Sequence, residues 1–179
     1  MRLDQYDNSW YHPGPKWKIA LWYAVSMAFF RTAIPYSSRL KVGLLRMFGA
    51  KIGRGVIIKP SVIIKYPWKL SIGDHSWIGE QVWIDNLDEV TIGNHCCISQ
   101  GAMLLCGNHN YKKPNFDLMM KPIILEDGVW IGAKATVCPG VKCETNSVLM
   151  LGSTAHKDLS KDGVYGRVPL EKLRNRELT

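Results

Sequence analysis

An aliphatic residue returns at every sixth position over much of this chain. The period reads directly between residues 72 and 104: Ile72, Ile78 and Ile84, then, after a two-residue slip, Ile92, Ile98 and Leu104. A small or turn-prone residue often follows it (Gly73, Gly79, Gly93, Ser99), and a small or β-branched one often stands four places on (Ser76, Val82, Cys96, Ala102). Upstream, Ile52, Ile58 and Ile64 keep the phase; downstream, Leu125, Ile131, Val137, Cys143 and Leu149 resume it. A helix repeats at three and four residues and an ordinary strand at two, so neither explains a period of six. A hexapeptide period is the mark of a parallel β-helix.

The physical reading is a stack of triangular coils. Six residues make one short strand and one corner, and three such units make a coil that stacks on the next at roughly 4.8 Å. The aliphatic residue points into the prism, while Gly, Asn and Asp absorb the left-handed backbone angles of the corners. One coil cannot bury its own face, so stability grows as neighbours are added.

Three interruptions stand out. Two slips of two residues fall at 66–69 and 86–89, three hexapeptides apart, so both are expected to bulge at the same corner. Residues 107–124 abandon the period altogether, from Gly107-Asn108-His109 to Pro122. A long excursion from a regular solenoid is more often functional than not. The organisation expected is therefore an N-terminal segment over 1–50, a β-helix over 51–152 carrying the 107–124 loop, and a tail over 153–179 with a short helix.

Residues 17–30 are apolar nearly all round, and Pro35 ends the run. The segment is too short to span a bilayer, which takes about 20 apolar residues. A second helix is expected from about 38 to 48. Such helices can cap the open end of a prism, which otherwise exposes unpaired strand edges. The competing reading is an interfacial anchor, with Lys16, Lys18, Arg31 and Arg39 near anionic headgroups.

The chain has a formal charge of +8, which suits anionic partners, but it holds no nucleic-acid-binding motif. Its five cysteines are odd in number and include no C-x-x-C, which reads as a reducing compartment without disulfides or a cysteine zinc site. Asp4, Asp7 and aromatic residues precede the apolar run and no small-residue cleavage site follows it, unlike a signal peptide. A cytoplasmic protein is expected, at or near the inner face of the membrane if the anchor reading holds.

The repeats, the His109 loop, Trp130-Ile131-Gly132-Ala133 and Pro139-Gly140-Val141 resemble the hexapeptide-repeat acetyltransferases. The subgroup most similar is the colanic acid biosynthesis acetyltransferases, through Tyr6-Asp7-Asn8-Ser9-Trp10, Phe48-Gly49-Ala50, Lys65-Tyr66-Pro67-Trp68 and Trp83-Ile84-Asp85-Asn86-Leu87. The resemblance implies a left-handed prism, a homotrimer with active sites between subunits, acetyl-CoA as co-substrate without a metal, and a sugar or lipid-linked oligosaccharide as acceptor. It assigns His109 as the base that deprotonates the acceptor hydroxyl. It maps cofactor contacts onto Trp130, Ala133, Leu151, Lys157 and Arg174. Ala155-His156-Lys157-Asp158 and Arg167-Val168-Pro169-Leu170 depart from the family's usual residues at the adenine end.

Asp85 breaks the Gly-rich second place of its hexapeptide, with Asn86 beside it. A corner aspartate accepting backbone hydrogen bonds is one reading; the other is acceptor binding by Asp85 and Asn86, or orientation of His109 by Asp85. Lys112 and Lys113 read as solvated loop residues or as contacts to a phosphorylated acceptor. His75 and His95 fall one coil apart at the same place and should stack. A zinc pair is the sharp reading, because the γ-class carbonic anhydrases use this prism with three histidine ligands across a trimer interface. The closely spaced downstream histidine pair of that family is missing here, which favours exposed corner residues, and His12 and His156 read as surface. A non-catalytic solenoid module is the third alternative, and it gives the 107–124 loop no purpose.

Overall fold

The computed structural model describes residues 2–166. Three parallel sheets form the sides of a prism. The first side stacks Lys51–Ile52, Leu70–Ile72, Val90–Ile92, Ile123–Leu125 and Lys142–Cys143. The second stacks Ile57–Ile58, Trp77–Ile78, Cys97–Ile98, Trp130–Ile131, Val148–Leu149 and Val164–Tyr165. The third stacks Ile63–Ile64, Trp83–Asp85, Met103–Leu105, Thr136–Val137 and Thr154–Ala155.

The hexapeptide aliphatics stand in register inside. Ile58 pairs with Ile78, Ile78 with Ile98, Ile98 with Ile131 and Ile131 with Leu149, all buried. Coil stacking leaves no room at some corners: a Cβ on Gly73 would lie 2.6 Å from the carbonyl carbon of Gly93 in the next coil. Two of the three corners are columns of left-handed residues. His75 (φ 56°), His95 (φ 54°), Asn146 and Asp162 share one with Gly55 and Gly128; Ser61, Gln81 and Lys134 share the other with Gly101 and Gly152.

The stack runs on past residue 152, the boundary read from the hexapeptides. Thr154–Ala155 and Val164–Tyr165 pair with the preceding coil, and Ala155 and Leu159 fill the interior. The period blurs there because alanine stands at one aliphatic place. The expected C-terminal helix, residues 170–176, lies outside the described residues.

Helices α1 (Lys16–Phe29) and α2 (Ser38–Met47) close the N-terminal end. Ser37 caps α2 by accepting from the Leu40 amide at 3.3 Å. The outward-pointing carbonyls of the first coil are taken up side by side. Arg46 donates to Ile52 and Gly53 on the first side. Lys41, fully buried, donates to Lys59 at 2.8 Å on the second. The Trp22 indole donates to Ile64 at 2.9 Å on the third. Ser38 accepts the Ile58 amide at 3.0 Å. These donors satisfy edges that would otherwise pair with another chain. No described helix is long and apolar enough to cross a membrane.

Candidate active site

Both slips bulge between the third and first sides, as their spacing requires: 66–69 precedes Leu70–Ile72 and 86–89 precedes Val90–Ile92. The long excursion leaves from the same corner, between Met103–Leu105 and Ile123–Leu125. Insertions here leave the strand ladders intact, so three of them stack into one irregular edge of the prism. Asn86 holds that edge. It is fully buried, its Oδ1 accepts from the amides of Lys65 (3.2 Å) and Tyr66 (3.0 Å), and its Nδ2 donates to the Tyr66 carbonyl.

The excursion folds as an antiparallel hairpin, Gly107–His109 against Leu118–Met120, with His109 opposite Leu118. Across the turn, the Asn110 amide donates to Asp117 O at 2.9 Å, and Lys113 pairs with the Asp117 carboxylate at 3.0 Å. The His109 ring is held on two sides. Phe116 stacks on it, centroids 4.3 Å apart and planes within 4°, and Tyr6 meets it edge-on at 5.6 Å. Its Nδ1 lies 3.0 Å from the Phe116 carbonyl oxygen. A carbonyl only accepts, so Nδ1 carries the proton and Nε2 is left with its lone pair. Phe116 reaches this position with φ 53°, a left-handed angle unfavourable for a bulky residue. Strain of this kind persists where the surroundings enforce it and clusters at functional sites.

The N-terminal arm runs along the same edge. The Arg2 amide donates to Pro114 O in the loop, the Tyr11 hydroxyl to Leu87 O at 2.7 Å, and the Trp68 indole to Pro13 O at 2.6 Å. Asp85 is mostly covered and forms an ion pair with Lys65 at 2.9 Å. Its carboxylate lies beside Gly107, two residues before His109, where an added Cβ would stand 3.7 Å from Oδ2. The Phe116 carbonyl engages Nδ1 of His109, and the Asp85 carboxylate engages Lys65. Lys69 reaches the Leu87 carbonyl across the same edge. Tyr6, Phe116 and Lys65 join the residues expected from the sequence at this edge. For Tyr6 and Lys65 the signal lay in the Tyr6–Trp10 and Lys65–Trp68 motifs, but nothing local marks Phe116.

A second feature lies along the corner between the second and third sides. A groove of about 510 Å³ is lined by Trp130, Gly132, Ala133, Met150, Leu151 and Val164, among others. It continues through Ser99 and Gln100 into a hollow of about 310 Å³ beside Trp77 and Gly79. The Trp130 indole donates to the Ser99 hydroxyl at 2.9 Å, which fixes the ring as one wall. Trp130, Ala133 and Leu151 are thus brought together. Lys157 lies in the adjoining cavity with His156 and Tyr165, and the two cavities share Leu149. An apolar channel adjoining Lys157 fits a ligand with an apolar arm and an anionic end. Arg174 lies outside the described residues. His109 and this groove occupy different corners of one prism.

His75 and His95 stack as expected, centroids 5.3 Å apart with planes at 18°. Both sit at left-handed corner positions, and the described residues contain no group of three His, Cys, Asp or Glu side chains placed to hold a metal ion. Burial pushes the thiols of Cys106 and Cys143 up to about 12, so they pack as small apolar groups.

No family model matches the chain. It is 38% identical over 159 residues to the "Putative colanic acid biosynthesis acetyltransferase WcaF" of Escherichia coli, covering 89% of this chain and 87% of that protein. It is 27% identical over 148 residues to the galactoside O-acetyltransferase of Escherichia coli, covering 81% of this chain and 73% of that protein. Among solved structures, a hexapeptide-repeat acetyltransferase of Vibrio cholerae matches with a TM-score of 0.77 at 22% identity, over 89% of this chain and 93% of that one. The same protein complexed with acetyl-CoA matches at 0.70 and 24% identity, over 79% of each chain. At that identity the structural likeness shows the fold, the left-handed parallel β-helix.

Proposed function

The chain belongs to the hexapeptide-repeat acetyltransferases of the WcaF type, and from that premise we propose that it moves an acetyl group from acetyl-CoA to a sugar hydroxyl in surface or exopolysaccharide synthesis. The observation that carries the reading is the hydrogen bond from His109 Nδ1 to the Phe116 carbonyl, which leaves Nε2 as a free base at the edge of the loop. In the reaction, Nε2 takes the hydroxyl proton as the sugar oxygen attacks the thioester carbonyl. The tetrahedral intermediate expels the thiolate of CoA, and the imidazolium returns the proton to that sulfur. The products are an acetyl ester and free CoA, and the imidazole ends as it began. General-base catalysis of this kind contributes about 10²–10⁴ in rate.

Trp130, Ala133 and Leu151 form the channel for the pantetheine arm, and Lys157 meets the phosphate end. Asp85 and Lys65 face the acceptor, where a carboxylate can take hydrogen bonds from sugar hydroxyls. The active unit is a homotrimer, since one prism carries His109 and the groove on different corners and a neighbour can bring the two together. The enzyme works in the cytoplasm, at the inner face of the membrane when its acceptor is lipid-linked. The acetyltransferase relatives, and the lack of the closely spaced downstream histidine pair of the γ-type zinc lyases, disfavour that alternative.

The test is acetyl-CoA turnover, followed as free thiol, against a panel of nucleotide sugars and lipid-linked oligosaccharides. Acceptor-dependent release of CoA and an acetyl ester on one class is expected. Thiol release that no acceptor stimulates would contradict the reading.

A further inference from the structure

Charge is segregated along this chain. Between Asp7 and Asp74 there is no Asp or Glu, while that interval holds 11 Lys and Arg. The rest of the chain is net acidic, since the whole carries only +8. The interval comprises α1, α2 and the first coil, so one end of the prism is a cationic pole. Lys41 and Arg46 are engaged with first-coil carbonyls, but Lys16, Arg31, Arg39, Lys51 and Lys59 are all exposed.

The same end exposes an apolar stripe. On α1, Trp17, Ala20, Leu21, Ala24, Met27 and Ala28 are exposed and recur at helical spacing, so they form one face. Trp17 is 69% exposed, Leu21 51% and Met27 49%. The helix is inverted relative to an ordinary surface helix: Ser26, its one hydroxyl-bearing aliphatic residue, is turned inward, and among the described residues its hydroxyl has no hydrogen-bond partner. The cap itself uses only the opposite face, through Trp22 and Phe30.

We infer that α1 lies on an anionic lipid surface, with its outer stripe in the headgroup–acyl boundary and the acid-free end of the prism against the headgroups. Apolar area and positive charge act together in such binding. A 14-residue helix is about 21 Å long and lies in the interface without crossing it. The stripe explains why lipid is the occupant favoured over another polyanion: charge alone requires no exposed Trp, Leu and Met. The inference does not depend on the acetyl-transfer reading.

The experiment is sedimentation of the full chain with vesicles of phosphatidylcholine alone or mixed with phosphatidylglycerol. The wild type is expected to pellet with the anionic vesicles, less so as salt rises, and to lose about fivefold in partition per basic residue neutralised, as in Lys16→Gln or Arg39→Gln. The triple variant Trp17→Ser, Leu21→Ser, Met27→Ser changes only exposed positions. It should bind those vesicles about a hundredfold more weakly while keeping the wild-type mass in light scattering and the wild-type turnover on a soluble acceptor. Failure of the wild type to pellet at low salt would overturn the inference. So would undiminished pelleting of the triple variant, or a change in its mass, which would make the stripe a contact between copies.

Discussion

The Phe116 ring lies parallel on the His109 ring at 4.3 Å, and its own carbonyl oxygen is 3.0 Å from Nδ1 of the same imidazole. One residue therefore fixes both the plane and the tautomer of the imidazole. Phe116→Ala keeps the carbonyl and removes the stack, which is worth about 0.5–1.5 kcal/mol for an aromatic pair. The expected result is a kcat lowered by up to about tenfold with an unchanged KM for acetyl-CoA, measured by steady-state thiol release.

Placement of His109 and the Trp130–Leu151 groove on different corners makes a prediction about mixed oligomers. His109→Ala removes the proposed base, and Ala133→Trp fills the groove. Each variant alone should be nearly inactive. Subunits unfolded and refolded together should regain activity at about one site in four, because a cleft between chains can pair an intact base with an intact groove. No recovery on mixing would place the whole site within one chain.

The cap contributes to stability through single hydrogen bonds to otherwise open strand edges. Trp22→Phe leaves the Ile64 carbonyl without its indole donor. The expected loss is about 1–3 kcal/mol, read as a lower urea midpoint with little change in slope.

Much of this was legible in the chain. The period of six identified the prism, its interior columns and the shared corner of the two slips, because stacking forces each coil to repeat the last. The place of His109 could be read from the break in the period. Less could be read where contacts join distant segments. Nothing local to 107–124 indicates that Tyr6 reaches the His109 ring or that Phe116 adopts a left-handed angle. Asn86 beside Asp85 suggested an acceptor contact, yet its burial follows from the amides of Lys65 and Tyr66 one coil earlier.

Acid should loosen the coil stack at one identifiable point. Lys142 at 2.7 Å, together with the hydroxyl and amide of Thr145, holds the Glu126 carboxyl down at about 2, against an ordinary value of 4.5. A depressed folded-state pKa stabilises the fold above the ordinary value, and that contribution is lost as pH falls from about 4.5 toward 2. Thermal unfolding across this window should show Tm falling less steeply in Glu126→Gln than in the wild type. Equal slopes would mean that the carboxylate contributes nothing to the linkage.

The role of His109 as the base is read most directly from one variant and two measurements. His109→Ala is expected to lower kcat by about 10²–10⁴, while calorimetry finds acetyl-CoA bound as tightly as in the wild type, since the groove lies on another corner. Turnover at the wild-type rate, or loss of acetyl-CoA binding along with turnover, would contradict the assignment.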